Sequence, residues 1–273
     1  MRVAAIQMCS GVSVTDNVAQ AERLIRAAVA DGATCVATPE MTHLLQRSPK
    51  RLFATITTED KDVGLKRFRA LADELNIHIL IGSLAVLGEN DKAMNRSFLI
   101  GPSGDILARY DKIHLFDVTL SRAETYKESN VYNGGTQAVT AMVNDAKLGL
   151  SICYDVRFAA LYRAYGQAGA QVITVPAAFT VPTGQAHWET MLRARAIETG
   201  SFIIAPAQGG NHEDGRSTWG HSMIIGPWGD VRAVIDNDAP GYICADIDLD
   251  DVSDARRKVP AWQHEPDFGV NNL

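Results

Sequence analysis

Apolar residues along the 273-residue chain fall into short β-branched runs that alternate with stretches of helical period. Residues 3–8 predict a strand. Val18, Ala21, Leu24, Ile25 and Ala28 then recur at three- and four-residue spacing, forming one face of a helix that Asp16 can cap and Gly32 can end. Residues 34–37 predict a buried strand running straight into Thr38-Pro39-Glu40. A second helix over Val63–Leu75 precedes a strand at 77–81, giving two strand–helix–strand units.

The middle of the chain is more hairpin-like, with strands at 97–100 and 106–110 around the turn Gly101-Pro102-Ser103-Gly104. Residues 116–136 are polar and without period, predicting a long loop of the kind that often carries function. Strands at 148–152, 172–175 and Phe202–Ala205 are separated by helices at 158–167 and 187–198. The end returns to hairpins, with strands Met223–Ile225 and 231–235 around Gly226-Pro227-Trp228-Gly229, a strand at 242–247 and a short polar helix. No repeat, low-complexity tract or linker divides the chain, so residues 1–273 are expected to form a single α/β domain with mixed sheets.

Composition narrows the function classes. A hydrophobic share of 46% excludes disorder and collagen-like fibre, and a net charge of -6 offers no general attraction for nucleic acid or anionic lipid. The basic run Arg256-Arg257-Lys258 sits among acids and is expected to be a solvated helix face. Cys9, Cys35, Cys153 and Cys244 are far apart, with no CxxC pair for zinc or redox chemistry. The first residues hold too short an apolar run for a signal peptide, and Pro176 and Pro182 break the uncharged stretch after Arg163, so no membrane span is expected. The expected setting is cytoplasmic, with reduced thiols, no nucleic acid and no membrane.

Three apolar strands end abruptly in a reactive residue. Glu40 follows residues 34–37, Lys112 follows 106–110, and Cys153 ends Leu148-Gly149-Leu150-Ser151-Ile152. In α/β sheets ligands bind near the carboxyl ends of strands. Singly each residue has a plainer explanation: Cys153 a small core residue, Glu40 a first solvated position, Lys112 a surface partner of Asp111. Together they supply what nucleophilic catalysis needs. If burial raises the Glu40 carboxylate toward neutrality it can take the thiol proton, while Lys112 and the N–H of Tyr154 stabilise an oxyanion. A thioester would form and water would release the acid. His114, His187 and His221 could approach the same rim but have no evident orienting partner. His212-Glu213-Asp214 lies among glycines and predicts a loop tip, and neither HExxH, GxxxxGK[ST] nor GxGxxG occurs. No metal or organic cofactor is expected.

The segments Thr38-Pro39-Glu40-Met41, Tyr110-Asp111-Lys112-Ile113-His114-Leu115-Phe116-Asp117 and Ser151-Ile152-Cys153-Tyr154-Asp155-Val156-Arg157-Phe158 together resemble the signature of the nitrilase superfamily, the carbon–nitrogen hydrolases. The resemblance implies that Glu40 is the base, Lys112 the oxyanion stabiliser and Cys153 the nucleophile. It also implies that Glu128, in Lys127-Glu128-Ser129-Asn130, orients the lysine and positions substrate. The fold it implies is a four-layer αββα sandwich of two mixed sheets with outer helices, associating as a homodimer or higher homo-oligomer.

Gly184-Gln185-Ala186-His187-Trp188-Glu189, Arg193-Ala194-Arg195-Ala196-Ile197-Glu198-Thr199 and Gln208-Gly209-Gly210-Asn211-His212-Glu213 are similar to the branch of deaminated glutathione amidases and ω-amidases, favouring the former. Segment 118–126 lacks the Pro-Gly step of many relatives and is expected at the pocket mouth. The activity implied is hydrolysis of a small linear amide through a cysteinyl thioester, with ω-amidase and N-carbamoyl amide hydrolase as alternatives. A silent scaffold or a cysteine redox sensor is the reading outside the amidases. Tyr154, Phe179 and His187 are the expected substrate contacts. Arg157, Arg193 and Arg195 suit carboxylates, but ion pairing within the protein is the simpler expectation for them.

Overall fold

The computed structural model describes residues 1–120, 125–264, 269 and 271. Its elements run β1 (Arg2–Gln7), α1 (Val14–Ala30), β2 (Cys35–Ala37), α2 (Pro49–Thr55), α3 (Val63–Leu75), β3 (His78–Leu87), β4 (Ala93–Ile100) and β5 (Ile106–Asp111). Next come β6 (Asp117–Thr119), β7 (Thr125–Lys127), β8 (Tyr132–Asn133), β9 (Val139–Val143), β10 (Ala146–Leu150), α4 (Ala159–Gln167), β11 (Val172–Thr174) and α5 (Val181–Thr199). The chain closes with β12 (Phe202–Ala205), β13 (Gly209–Asn211), β14 (Ser217–Trp219), β15 (Met223–Ile225), β16 (Val231–Val234), β17 (Gly241–Asp246) and α6 (Leu249–Lys258).

One sheet has the order β17-β1-β2-β3-β4-β5 with β8 beside β4; the other runs β16-β15-β12-β11-β10-β9. Each has three parallel strands at its centre, β1–β2–β3 and β10–β11–β12, and antiparallel neighbours outside. Strand alternation explains the layering. Val3, Ala5, Cys35, Ala37, Leu80 and Leu99 share a cluster with Leu148, Leu150 and Val172 of the second sheet. Their neighbours Ala4, Ile6, Val36, Ile79, Ile81 and Phe98 pack instead with the apolar faces of α1 and α3. On the far side of the second sheet Gly149 lies under α4, where a Cβ would stand 2.8 Å from the Tyr165 ring. The result is the αββα sandwich that the sequence resemblance implies.

Several local expectations change. Ser13, not Asp16, caps α1, accepting from the Asp16 N–H, because the helix begins one residue after that serine. Helix α5 begins at Val181, ahead of the expected start at 187, since Pro182 sits in the first turn where its missing N–H costs nothing. Gly184 then serves close packing inside the helix. The polar stretch 116–136 is no open loop: β6 pairs with β7, a 3-10 turn spans Glu128–Asn130 and β8 joins the first sheet. Of segment 118–126, residues 121–124 lie outside those described. Arg257 and Lys258 are exposed, but Arg256 is half-buried and donates to Thr199 O (3.1 Å) and Ser201 Oγ (3.0 Å), closing the C-terminal end of α5. The pattern also gave no sign of α2, β9 or the β13–β14 ribbon, all short.

Candidate active site

The expected strand ends meet. Glu40 lies three residues beyond β2, Lys112 follows β5 directly, and Cys153 opens a 3-10 turn (Cys153–Arg157) three residues beyond β10. All three are buried and line one cavity of ≈ 340 Å³ together with Glu128. Lys112 Nζ donates to Glu40 Oε1 (2.8 Å) and to Glu128 Oε2 (2.9 Å) and Oε1 (3.1 Å). The other Glu40 oxygen accepts the Ala178 N–H (2.9 Å), and the Cys153 thiol stands near enough to the same carboxylate that each group shifts the other's titration. Glu128 Oε2 also accepts the Phe116 N–H (2.6 Å).

Cys153 itself has φ 50°, in the left-handed region that β-carbon-bearing residues occupy at a cost of about 1–2 kcal/mol. Its N–H donates to Pro176 O at 2.8 Å, fixing that turn. Tyr154 N–H lies in the first turn of the 3-10 segment, where amides have no intrahelical acceptor. Asp155, fully buried, ties the turn down. It accepts from Ile152 N–H (2.8 Å), Tyr110 Oη (2.7 Å), His114 N–H (3.0 Å) and His114 Nδ1 (2.7 Å). The strand end carrying Lys112 and the turn carrying Cys153 are thus fastened to one carboxylate.

Burial alone would raise the Glu40 carboxyl, but Lys112, Cys153 and Asn95 together hold it below its ordinary value. The expected rise toward neutrality is therefore not found, because the neighbouring ammonium outweighs desolvation. Burial, with the Glu40 charge added, pushes the Cys153 thiol well above its ordinary value against the opposing pull of Lys112. Burial opposes the charge on Lys112, yet Glu128, Glu40 and Cys153 keep it firmly protonated. The resting site is a carboxylate, an ammonium and a neutral thiol. This arrangement can pass one proton between sulfur and carboxylate while a fixed cation faces a developing oxyanion.

Tyr154 and Phe179 line the cavity as expected, with the Arg157 guanidinium 5.8 and 5.3 Å from their ring centroids. His187 does not. It is exposed on the second turn of α5 and reaches the cavity only through Arg157 Nη1, 3.3 Å from its Nδ1, because the helix starts earlier than the sequence suggests. No histidine is among the described lining residues: His114 is held by Asp155, and His221 stacks on Trp219. Arg193 pairs with Glu189 and Arg195 with Glu198, leaving Arg157 as the expected arginine that borders the site.

Sequence reasoning missed Asn95. Its Nδ2 donates to Glu40 Oε1 (2.9 Å) and Glu128 Oε1 (3.2 Å), and its carbonyl accepts the Lys112 N–H (3.0 Å). The available signal was a polar residue within a strand, two positions from the equally buried Ser97. Arg47 and Arg216 also line the cavity and were not anticipated. Among the described residues no group of three or more His, Cys, Asp or Glu is placed to hold a metal ion.

Comparison with known proteins places this geometry. The family model for carbon-nitrogen hydrolase matches residues 2–257. A deaminated glutathione amidase of Synechocystis is 42% identical over 267 residues, covering 96% of each chain. One from Yersinia enterocolitica is 36% identical over 266 residues, covering 96% of this chain and 92% of that one. The crystal structure of the Caenorhabditis elegans NitFhit protein superposes with a TM-score of 0.88 at 34% identity; 97% of this chain matches, spanning 64% of that longer one.

Proposed function

The chain belongs to the carbon–nitrogen hydrolase family, and on that premise we propose that it is a deaminated glutathione amidase, cleaving N-(4-oxoglutaryl)-cysteinylglycine to 2-oxoglutarate and cysteinylglycine. The observation that carries the reading is the Glu40 carboxylate bonded to Lys112 and facing Cys153 across one cavity. The lining supports an acidic substrate: it holds Arg47, Lys112, Lys127, Arg157 and Arg216 against Glu40 and Glu128, in a chain whose net charge is -6. The deaminated glutathione amidase relatives support the same choice.

In this mechanism the Cys153 sulfur attacks the amide carbonyl as its proton passes to Glu40. Lys112 Nζ and the Tyr154 N–H receive the oxyanion. Collapse of the tetrahedral intermediate breaks the C–N bond, and the leaving amine takes the proton from Glu40. Glu40 next accepts a proton from the water that attacks the thioester. The second intermediate collapses to 2-oxoglutarate, and the proton on Glu40 returns to sulfur. Glu128 and Asn95 act as positioning residues for Lys112 and Glu40. Tyr154 and Phe179 flank the acyl chain.

The test is mass spectrometry of products from the dipeptide amide and from 2-oxoglutaramate, with wild type and Cys153→Ala. Wild type is expected to prefer the dipeptide amide. Cys153→Ala should lose about 10⁴-fold or more in rate while remaining folded. Preference for 2-oxoglutaramate would make the protein an ω-amidase, and turnover by Cys153→Ala would overturn the thioester route.

Among the described residues no helix is long and apolar enough to cross a membrane. Four free thiols, one of them the nucleophile of this mechanism, support a cytoplasmic setting. Exposed Ile197 of α5 and exposed Trp228, in the β15–β16 turn whose Gly229 packs against Ile197, support a homodimer, which sedimentation would register.

A further inference from the structure

The cavity has more cationic side chains than the chemistry uses. Glu40 and Glu128 occupy Lys112, and Lys127 lies in the field of Asp117. Arg157 belongs to the same 3-10 turn as Cys153, so its charge serves the part of a substrate nearest the sulfur. Arg216 and Arg47 remain.

Arg216 is held rather than free to sweep. Asp214, its side chain only 1% exposed, accepts from Arg216 Nε (2.8 Å), Nη2 (2.7 Å) and backbone N–H (3.0 Å). That leaves Nη1 without a partner among the described residues. The ribbon beneath is pinned as well. His212 Nε2 meets Thr218 Oγ1 at 2.6 Å and its Nδ1 meets Ser10 O at 2.9 Å, while Thr218 bridges Thr180 on the cavity wall. Arg216 therefore stands two residues, about 6.6 Å of strand, beyond a wall position fixed next to Phe179. Its charge is felt inside the cavity, where it opposes the upward push of burial and Glu128 on the Tyr132 hydroxyl. Arg47, on the loop after Leu45, is exposed at the same mouth and makes no hydrogen bond or ion pair with another described residue.

The geometry points to a second carboxylate subsite at the outer end of the cavity, in which Arg216 and Arg47 hold the terminal carboxylate of the leaving amine and so set the preference for a dipeptide leaving group over ammonia. This rests on the deaminated glutathione reading and deepens it. In that substrate the glycine carboxylate lies further from the scissile carbonyl than the keto-acid carboxylate does, matching an outer cation beyond the inner Arg157. A fixed guanidinium suits a carboxylate, and a charge-assisted contact is worth roughly a tenfold to hundredfold change in affinity.

The experiment compares kcat/KM for the dipeptide amide, its C-terminal carboxamide and 2-oxoglutaramate in wild type, Arg47→Gln, Arg216→Gln and Arg216→Lys. The expected result is a tenfold to hundredfold fall in the ratio of dipeptide amide to 2-oxoglutaramate for both Gln variants, mainly through KM, with partial rescue in Arg216→Lys. Wild type should discriminate similarly against the carboxamide. Removal of the Arg216 guanidinium leaves Asp214 with only the backbone N–H, so Arg47→Gln, at an exposed position, keeps the test independent of folding. Unchanged ratios, or equal losses on both substrates, overturn the subsite and leave the proposed function standing. Wild type that ignores the dipeptide amide overturns the function and the subsite together.

Discussion

Cys153 combines two costs, a left-handed backbone and a thiol whose proton is held tightly by burial and a neighbouring carboxylate. Both follow from placing sulfur at the tip of a turn, beside a base that is already ionised. The pH dependence follows in sign. Glu40 is depressed, so it remains a base down through its ordinary value of 4.5 and is lost only below it; the thiol, raised, stays protonated beyond its ordinary 9.0. The kcat/KM profile should therefore hold across neutrality, and an acid limb centred near pH 7 would rule Glu40 out as the base. Asn95→Ala should lower kcat by about tenfold or more with little change in KM, since it releases both carboxylates around Lys112. Steady-state kinetics checks this. Glu40, Lys112 and Cys153 were legible because each ends an apolar run. Asn95 was not, because in β4 the polar Asn95 and Ser97 are buried while Met94 and Arg96 are half-buried, reversing the usual relation of polarity to burial.

Elements reach the site through a few fixed joints. The four bonds to Asp155 fasten the end of β5 to the turn that carries the nucleophile. Asp155→Asn keeps the volume but replaces an acceptor with a donor, and should cost about 2–4 kcal/mol in urea unfolding while lowering kcat. A second joint is α5 against β14, where a Cβ at Gly184 would stand 2.3 Å from Trp219 Cβ. Gly184→Ala should cost about 1–3 kcal/mol and raise KM for the dipeptide amide, because β14 leads to Arg216. Thermal and urea denaturation with kinetics would show both effects. Period and turn signals gave α3, β12 and β15 their boundaries, whereas the start of α5 was hidden by a proline and a glycine that usually interrupt helices. Here one occupies the first turn and the other a close contact.

At the scale of the molecule, each sheet supplies part of the site. Glu40, Lys112 and Glu128 come from segments attached to the first sheet, while Cys153 and Ala178 come from the second. The two meet at Gly82, where a Cβ would lie 2.0 Å from Thr38 O and 2.5 Å from Pro176 Cβ. Gly82→Ala should push the sheets apart beneath the base, costing about 2 kcal/mol or more and most of the activity, which denaturation and turnover would report together. Strand positions and mixed sheets were legible from alternation. Which strands belong to which sheet was not, because three-residue parallel strands such as β2 and β11 are buried at every position and carry no register signal of their own. The resemblance to a known family supplied the two-sheet sandwich, and the structure supplies the assignment of strands to each sheet.

A site divided between two sheets gives the enzyme a built-in clock for its own folding. Helices and individual strands can regain their signal while base and sulfur are still apart. Only docking of the two halves restores the Glu40–Ala178 bond and the bonds from Tyr110 and His114 to Asp155. During refolding from urea, turnover should return after the far-ultraviolet signal and in step with the burial of the core between the sheets.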